Sequence, residues 1–197
     1  MAEGRTILRV DSGVDHGKSV SRQLADRLME GLVGDGDVVI ERDISDGLPY
    51  LDSQWHAAAF GGPDPSALAL SEDLTDELLA ADELVLVAPV YNLSVPAPLK
   101  CWIDHVVREG RTYRFTQDGV EGMVTSLSRA WVVTASGGTP IGGPYDFNTT
   151  YLTTILGVIG IFDVRVVGAH STKFRGQEAV DEAHRTMDEH LAAIAGA

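Results

Sequence analysis

The sequence predicts an α/β protein built on an open, doubly wound parallel sheet with helices on both faces. Three observations carry this. Residues 83–90 are almost wholly Leu, Val and Ala without polar alternation, which suits a central strand hidden from water on both sides. Strand-like runs alternate with segments whose apolar residues recur every four positions, the pattern that builds a parallel sheet covered by helices. The inner strand-like runs end in loops rich in Gly, Pro, Ser or Asn, and open α/β sheets bind their ligands at the carboxyl ends of strands.

Taken in order, residues 6–10 read as the first strand, with Arg9 at odds with full burial. A loop, Asp11-Ser-Gly-Val-Asp-His-Gly-Lys-Ser19, leads into a helix with Val20, Leu24, Leu28 and Leu32 on one face, stopped by Gly34. Residues 38–43 read as the second strand. Residues 44–65 form a long connection punctuated by Gly and Pro, with one helical turn near Trp55, where Trp55 and Phe60 read as packing anchors ahead of pocket lining. A helix from Ser66 to near Ala81 carries Leu70, Leu74 and Leu78 and delivers the chain into the central strand.

The next helix, residues 98–107, turns Leu99, Ile103 and Val106 inward. Cys101 and Trp102 read as packing residues, because a lone cysteine without a histidine motif is weak evidence for a nucleophile. Residues 111–119 suggest a hairpin turning at Asp118-Gly119. Residues 130–134 form the fourth strand, 151–159 a helix and 164–167 the fifth strand. Residues 177–194 form a closing helix with Val180, Ala183, Met187, Leu191 and Ile194 inside. Five strands without a GxGxxG fingerprint favour the flavodoxin-like strand order over the Rossmann one.

Composition narrows the function. At 197 residues, 44% hydrophobic and 22% charged, the chain is composed like one globular domain, and residues 1–197 are expected to form a single one. A net charge of −14 with no basic run argues against nucleic acid. The single cysteine excludes an intrachain disulfide and fits a reducing compartment. No apolar run reaches membrane-spanning length and the amino terminus lacks signal-peptide character, so the expected address is the cytoplasm, with no membrane partner. Only three lysines are present, which codon bias or a salty milieu would equally explain.

Three loops carry the chemistry. Ser12 with Ser19, Val20 and Ser21 places small hydroxyl residues at a helix start, where unpaired N–H groups and the helix dipole favour an anion. The same serines would equally serve as plain helix caps. The segment Gly13 to Ser19 imitates a Walker A loop but is one residue short, and no aspartate follows a later aliphatic strand to organise Mg²⁺. The second loop, Pro89, Val90, Tyr91, Asn92 and Leu93, sets an aromatic beside an amide where proline fixes the turn. The third, Ser136, Gly137 and Gly138, allows close backbone approach. One ligand with a phosphate at one end and a flat heteroaromatic ring at the other would touch all three, and FMN has that shape.

These residues also carry a resemblance over nearly the whole chain. The stretch Ala88-Pro-Val-Tyr-Asn-Leu93, with Leu99-Lys100, Asp104, Arg108-Glu-Gly-Arg-Thr112 and Gly119 to Gly122, is similar to the flavin loop and following pattern of the FMN-dependent NADH-azoreductases. That family comprises flavodoxin-like quinone reductases. Ser19-Val-Ser21 resembles its phosphate loop, Gly137-Gly138 its glycine loop, and Tyr151 to Ile161 its later helix. Val90 and Leu93 stand where the family has Met and Phe, Ala135-Ser136 replaces Ser-Arg, and Gly13 replaces a frequent serine.

The resemblance implies bound FMN, NADH or NADPH as reductant, a quinone or azo acceptor, ping-pong turnover and a homodimer. It implies no protein acid, base or nucleophile, and no metal. It further implies a substrate pocket touching Phe115 and Val158, where Val158 in place of phenylalanine leaves the space wider. An electron carrier that needs a separate reductase is the alternative. His16 and His170 read as structural or surface residues.

Overall fold

The computed structural model describes residues 4–196. Five parallel strands form one sheet: β1 (Thr6–Asp11), β2 (Val38–Asp43), β3 (Glu83–Val87), β6 (Arg129–Ala135) and β7 (Val164–Ala169), in spatial order β2-β1-β3-β6-β7. Counting only these strands, the order is 2-1-3-4-5, the flavodoxin-like one expected. A separate antiparallel hairpin, β4 (Tyr113–Thr116) with β5 (Gly119–Gly122), follows the fourth helix. Thr116 pairs with Gly119, so the two-residue turn is Gln117-Asp118, one position earlier than the Asp-Gly signal suggested.

Side chains that alternate along each inner strand enter two different cores, which is why β3 needs apolar residues at every position. On one face, Ile7, Val85, Val87, Trp131 and Val133 meet Leu24, Leu28 and Leu32 of α1 (Val20–Leu32) and Ala183 and Met187 of α7 (Gln177–Ala195). On the other, Leu8, Val10, Leu84, Leu86 and Val132 meet three helices. These are α3 (Ala69–Ala80), α4 (Ala97–Val106) and α5 (Thr149–Val158). Trp102 and Trp131 lie fully buried, one in each core.

The sheet's outer strand β2 is largely exposed, and Glu41, Arg42 and Asp43 along it discourage pairing with another chain. Arg9 is buried despite its charge, because its guanidinium meets Asp11 at 2.7 Å and Asp26 of α1 at 2.7 Å. The connection after β2 holds two turns of helix, α2 (Ser53–Ala59), instead of one. Trp55 anchors it by donating its indole N–H to Ser71 Oγ at 2.7 Å, whereas Phe60 is exposed, its ring against His56 at 4.8 Å, and lines a hollow with Trp55 and Tyr113. Ser71 Oγ in turn lies 2.6 Å from His105 Nδ1, and His105 Nε2 lies 2.8 Å from the Pro49 carbonyl oxygen, so α3, α4 and the connection are tied by one buried chain of hydrogen bonds. A further short helix, α6 (Thr172–Arg175), was not legible in the sequence.

Candidate functional site

The carboxyl ends of β1, β3 and β6 are adjacent in the sheet, so the loops after them converge at one edge. The first loop folds against the second. Gly13 lies against Pro89, where an added methyl would sit 3.2 Å from the proline ring, and the Val14 N–H donates to the Tyr91 hydroxyl at 3.2 Å. Arg22 of α1 holds the loop from below, donating to the Gly13 carbonyl at 2.9 Å and to Asp43 at 3.0 Å. Burial pushes the Asp43 carboxyl up, but the Ser45 hydroxyl and N–H together with Arg22 outweigh it and hold the group below its ordinary range. Asp15 turns back on the loop and accepts the Lys18 and Gly17 N–H groups, which lowers its pKa.

Ser19 caps α1, accepting from the Arg22 N–H, and its hydroxyl lies 3.0 Å from that of Ser21. The N–H groups of Val20 and Ser21 occupy the first turn, where no preceding carbonyl can reach them, and they have no acceptor among the described residues. Ser12 differs from these. Its hydroxyl is buried and donates to the Val87 carbonyl at 2.7 Å, closing β1 onto β3, so its work is structural first.

The second loop is a tight turn. Tyr91 and Ser94 exchange N–H to carbonyl bonds at 3.0 and 3.1 Å around Asn92 and Leu93, which adopt φ of 50° and 73°. Asparagine tolerates that left-handed region, but leucine there carries backbone strain of about 1–2 kcal/mol. Such strain gathers at ligand sites. The turn leaves Tyr91, Asn92 and Leu93 exposed and the Asn92 and Leu93 N–H groups without protein acceptors among the described residues. Pro89 is buried and Val90 half-buried, with the Val90 N–H still bonded to the Ala135 carbonyl beyond the formal end of β3.

In the third loop the Ser136 hydroxyl is likewise spent inside, bonding the Thr139 carbonyl at 2.5 Å and N–H at 2.8 Å. Gly137 and Gly138 again present N–H groups without acceptors among the described residues. Helix α6 docks on this loop: the Thr172 N–H donates to Ser136 O and the Lys173 N–H to Gly137 O, each at 3.0 Å.

Sequence reasoning also missed Asn148. Its side-chain amide nitrogen donates to Ala88 O at 2.8 Å and Thr134 Oγ1 at 3.0 Å, clamping the end of β3 to β6, while its Oδ1 is buried without a partner. Asp146 next to it caps α5. Burial raises its carboxyl pKa, yet bonds from the Thr149 hydroxyl and from the N–H groups of Gly142, Thr149 and Asn148 bring it below its ordinary range. Neither residue lies in a motif; only the fold brings them to the loops.

Val158 lines a groove of about 840 Å³ between the hairpin and α5, with Val120, Gly122, Thr154 and Phe162 among its walls. Phe115 stands on the hairpin outside that groove, 63% exposed, its ring edge-on to Tyr113 at 5.6 Å. None of the three loops contributes to the groove. Cys101 is buried with its thiol pKa pushed up by burial, and it donates to Pro49 O at 3.1 Å, in keeping with a packing role. No helix of the described residues is long and apolar enough to cross a membrane.

Comparison with known proteins places this geometry. A model for the flavodoxin-like fold family matches residues 5–192. The FMN-dependent NADH:quinone oxidoreductase of Thiobacillus denitrificans is 39% identical over 196 residues, covering 95% of this chain and 93% of that protein. A relative of the same name from Jannaschia sp. is 40% identical, covering 96% and 98%. Among solved structures, the FMN-dependent NADH-azoreductase of Bacillus anthracis in complex with FMN superposes with a TM-score of 0.84 over 96% of this chain and 99% of that one, at 20% identity, a likeness of fold. The chain belongs to the flavodoxin-like family of FMN-dependent NADH:quinone oxidoreductases.

Proposed function

We propose that the protein binds FMN across the three converging loops and uses NADH or NADPH to reduce quinones and azo compounds. The observation that carries this is the gathering, at the carboxyl ends of β1, β3 and β6, of backbone N–H groups without acceptors among the described residues, including Val20 and Ser21, Asn92 and Leu93, and Gly137 and Gly138. Those of Val20, Ser21 and Gly137 are on buried or half-buried residues and call for an acceptor-rich ligand, while those of Asn92, Leu93 and Gly138 stand at the surface where a ligand can reach them. An FMN molecule offers a phosphate for one pair and ring oxygens and nitrogens for the others.

When bound, FMN supplies the two-electron chemistry, and the chain supplies position and polarity. The Val20 and Ser21 N–H groups and the Ser19 hydroxyl would hold the phosphate at the start of α1. Tyr91, steadied by the Val14 N–H, and Leu93 would pack at the ring. The Asn92 and Leu93 N–H groups and the Asn92 amide would face its polar edge, and Gly137 and Gly138 let the backbone approach closely. Donors fixed before the reaction stabilise negative charge as it develops. No side-chain acid, base or nucleophile is called on.

The working unit in this reading is a homodimer. Its support is the apolar surface beside the site: Phe115, Val120, Phe147 and Phe162 are all at least half exposed, and the groove at Val158 is continued along α5 through Thr154 by a second hollow at Ser94 and Phe147. Exposed patches of this kind mark contact surfaces. A partner covering them would leave room for one flat molecule at a time over the ring, hence ping-pong turnover. The single flavodoxin-like domain, with its one buried thiol, is assigned to the cytoplasm.

The test is spectroscopic. Purified protein should carry or take up FMN, NADH should bleach its visible absorbance anaerobically without a second protein, and a quinone should restore it. Dependence on a separate reductase would make it a carrier. Intersecting double-reciprocal lines would rule out the ping-pong order, and a fully active monomer by light scattering would rule out the shared site.

A further inference from the structure

Of the fifteen lysines and arginines, only Lys18, Lys173 and Arg185 lie more than 4 Å from every carboxylate of the described residues. In a chain of net charge −14 an unpaired cation is unusual, and two of these three belong to the site. Lys18 stands in the loop that opens α1. Lys173 stands on α6, at the glycine loop.

The placement of Lys173 is specific. Its N–H donates to the Gly137 carbonyl at 3.0 Å, and its aliphatic stem runs across Gly137: a methyl added there would sit 3.0 Å from Cε, 3.2 Å from Cδ and 3.3 Å from Cγ. A side chain at 137 would press on the stem, and glycine leaves it room to lie close. The ammonium, one bond beyond Cε, is therefore carried beside Gly137, whose N–H group has no acceptor among the described residues. The segment that bears it is held independently, by the Thr172 N–H and hydroxyl on the Ser136 carbonyl at 3.0 and 3.1 Å.

We propose that Lys173 is a positioning and electrostatic residue that sets the reduction potential of FMN bound at the glycine loop. The inference rests on the functional reading above. FMN that takes up two electrons and one proton gains one negative charge on its ring system, and a fixed cation at the ring's edge favours that form over the oxidised one. Lys173 is exposed, and a full charge a few ångströms away, screened by water, is worth up to about tenfold in the ratio of the two affinities. For a two-electron couple tenfold corresponds to about 30 mV.

The experiment compares wild type, Lys173→Met, which keeps the stem, and Lys173→Arg, which keeps the charge, all loaded with FMN and titrated against a reference dye. Lys173→Met is expected to move the midpoint potential about 30 mV negative while oxidised FMN binds as in wild type, and Lys173→Arg to stay near the wild-type value. An unchanged potential in Lys173→Met overturns the proposal. So does an equal shift in both variants, which would mean a purely structural effect. So does a changed KM for NADPH but not NADH at constant potential, which would assign the cation to the dinucleotide. A wild-type protein that takes up no FMN overturns the functional reading and this inference together, a result separable from a variant that binds FMN with unaltered potential.

Discussion

At the amino ends of the five parallel strands, Arg5 reaches Asp37 at 2.7 Å and Glu83 at 2.8 Å, and Arg129 reaches Glu83 at 3.2 Å and Asp163 at 3.0 Å. The Trp131 indole donates to the second oxygen of Glu83 at 2.8 Å, and the Thr6 N–H to Asp82 at 2.7 Å. The charged residues among these open or immediately precede β1, β2, β3, β6 and β7, so one ionic network laces all five strand starts. At the carboxyl ends the polar groups are left open: among the described residues, backbone donors without acceptors, three non-glycine residues at positive φ (Asn92, Leu93 and Ser171) and two cations without carboxylates. The same sheet is closed by ion pairs at one end and keeps open polar groups at the other, where the proposed FMN would lie.

That contrast is breakable by substitution. Glu83→Ala has the largest expected effect, because it takes one of two carboxylate partners from both Arg5 and Arg129 and strands the buried Trp131 indole N–H, at a position that is 2% exposed. A loss of about 3–5 kcal/mol in unfolding free energy is expected from urea titration. FMN affinity of the folded fraction should not change. A loss of FMN affinity in fully folded protein would mean that the two edges are not separable.

At the other edge, Asn92→Gly keeps the left-handed backbone while removing the amide. It should weaken FMN binding by about 1–3 kcal/mol, the range for stranding a polar partner, with the unfolding midpoint unmoved. Fluorescence titration with FMN measures the first and urea the second. Smaller still, Leu93→Gly should relieve the positive-φ strain and raise the unfolding free energy by up to about 1 kcal/mol while loosening FMN. Opposite signs for stability and binding at one residue would be the signature of a strained ligand loop.

The least effect is expected from pH. Arg5, assisted by the N–H groups of Gly34 and Arg5, holds the Asp37 carboxyl down from 3.8 to about 2. A carboxylate depressed on folding adds stability that is present above its unfolded pKa and lost as pH falls toward its folded value, since the unfolded state binds the proton more readily. The urea midpoint should therefore decline between about pH 4 and pH 2, and Asp37→Asn should flatten that decline. An unaltered slope would remove Asp37 from the network's contribution.

Much of this architecture is local information. Alternating apolar runs and four-residue periodicities report which faces are buried, so the five strands, the amphipathic helices and the parallel order could be read from residues near one another in the chain. The three loops at the carboxyl ends of β1, β3 and β6 were legible for the same reason, because Gly, Pro, Ser and Asn declare special backbone where they stand. Strand ends were less so: β6 runs on to Ala135 and β7 to Ala169 because each has the other as neighbour. Helix α6 has no periodicity to announce it, and it exists by docking on Ser136 and Gly137, some 36 positions earlier.

By itself, then, the sequence determined which loops gather at the carboxyl edge and which residue types they offer. Only the tertiary structure decided how those residues are used. Ser12 and Ser136 turn their hydroxyls to the protein's own carbonyls, Asn148 clamps two strands, and Lys173 is laid across Gly137 with its charge unpaired. Whether a donor is satisfied or free depends on which acceptor lies about 3 Å away in space, and that distance is set by chain segments remote in sequence.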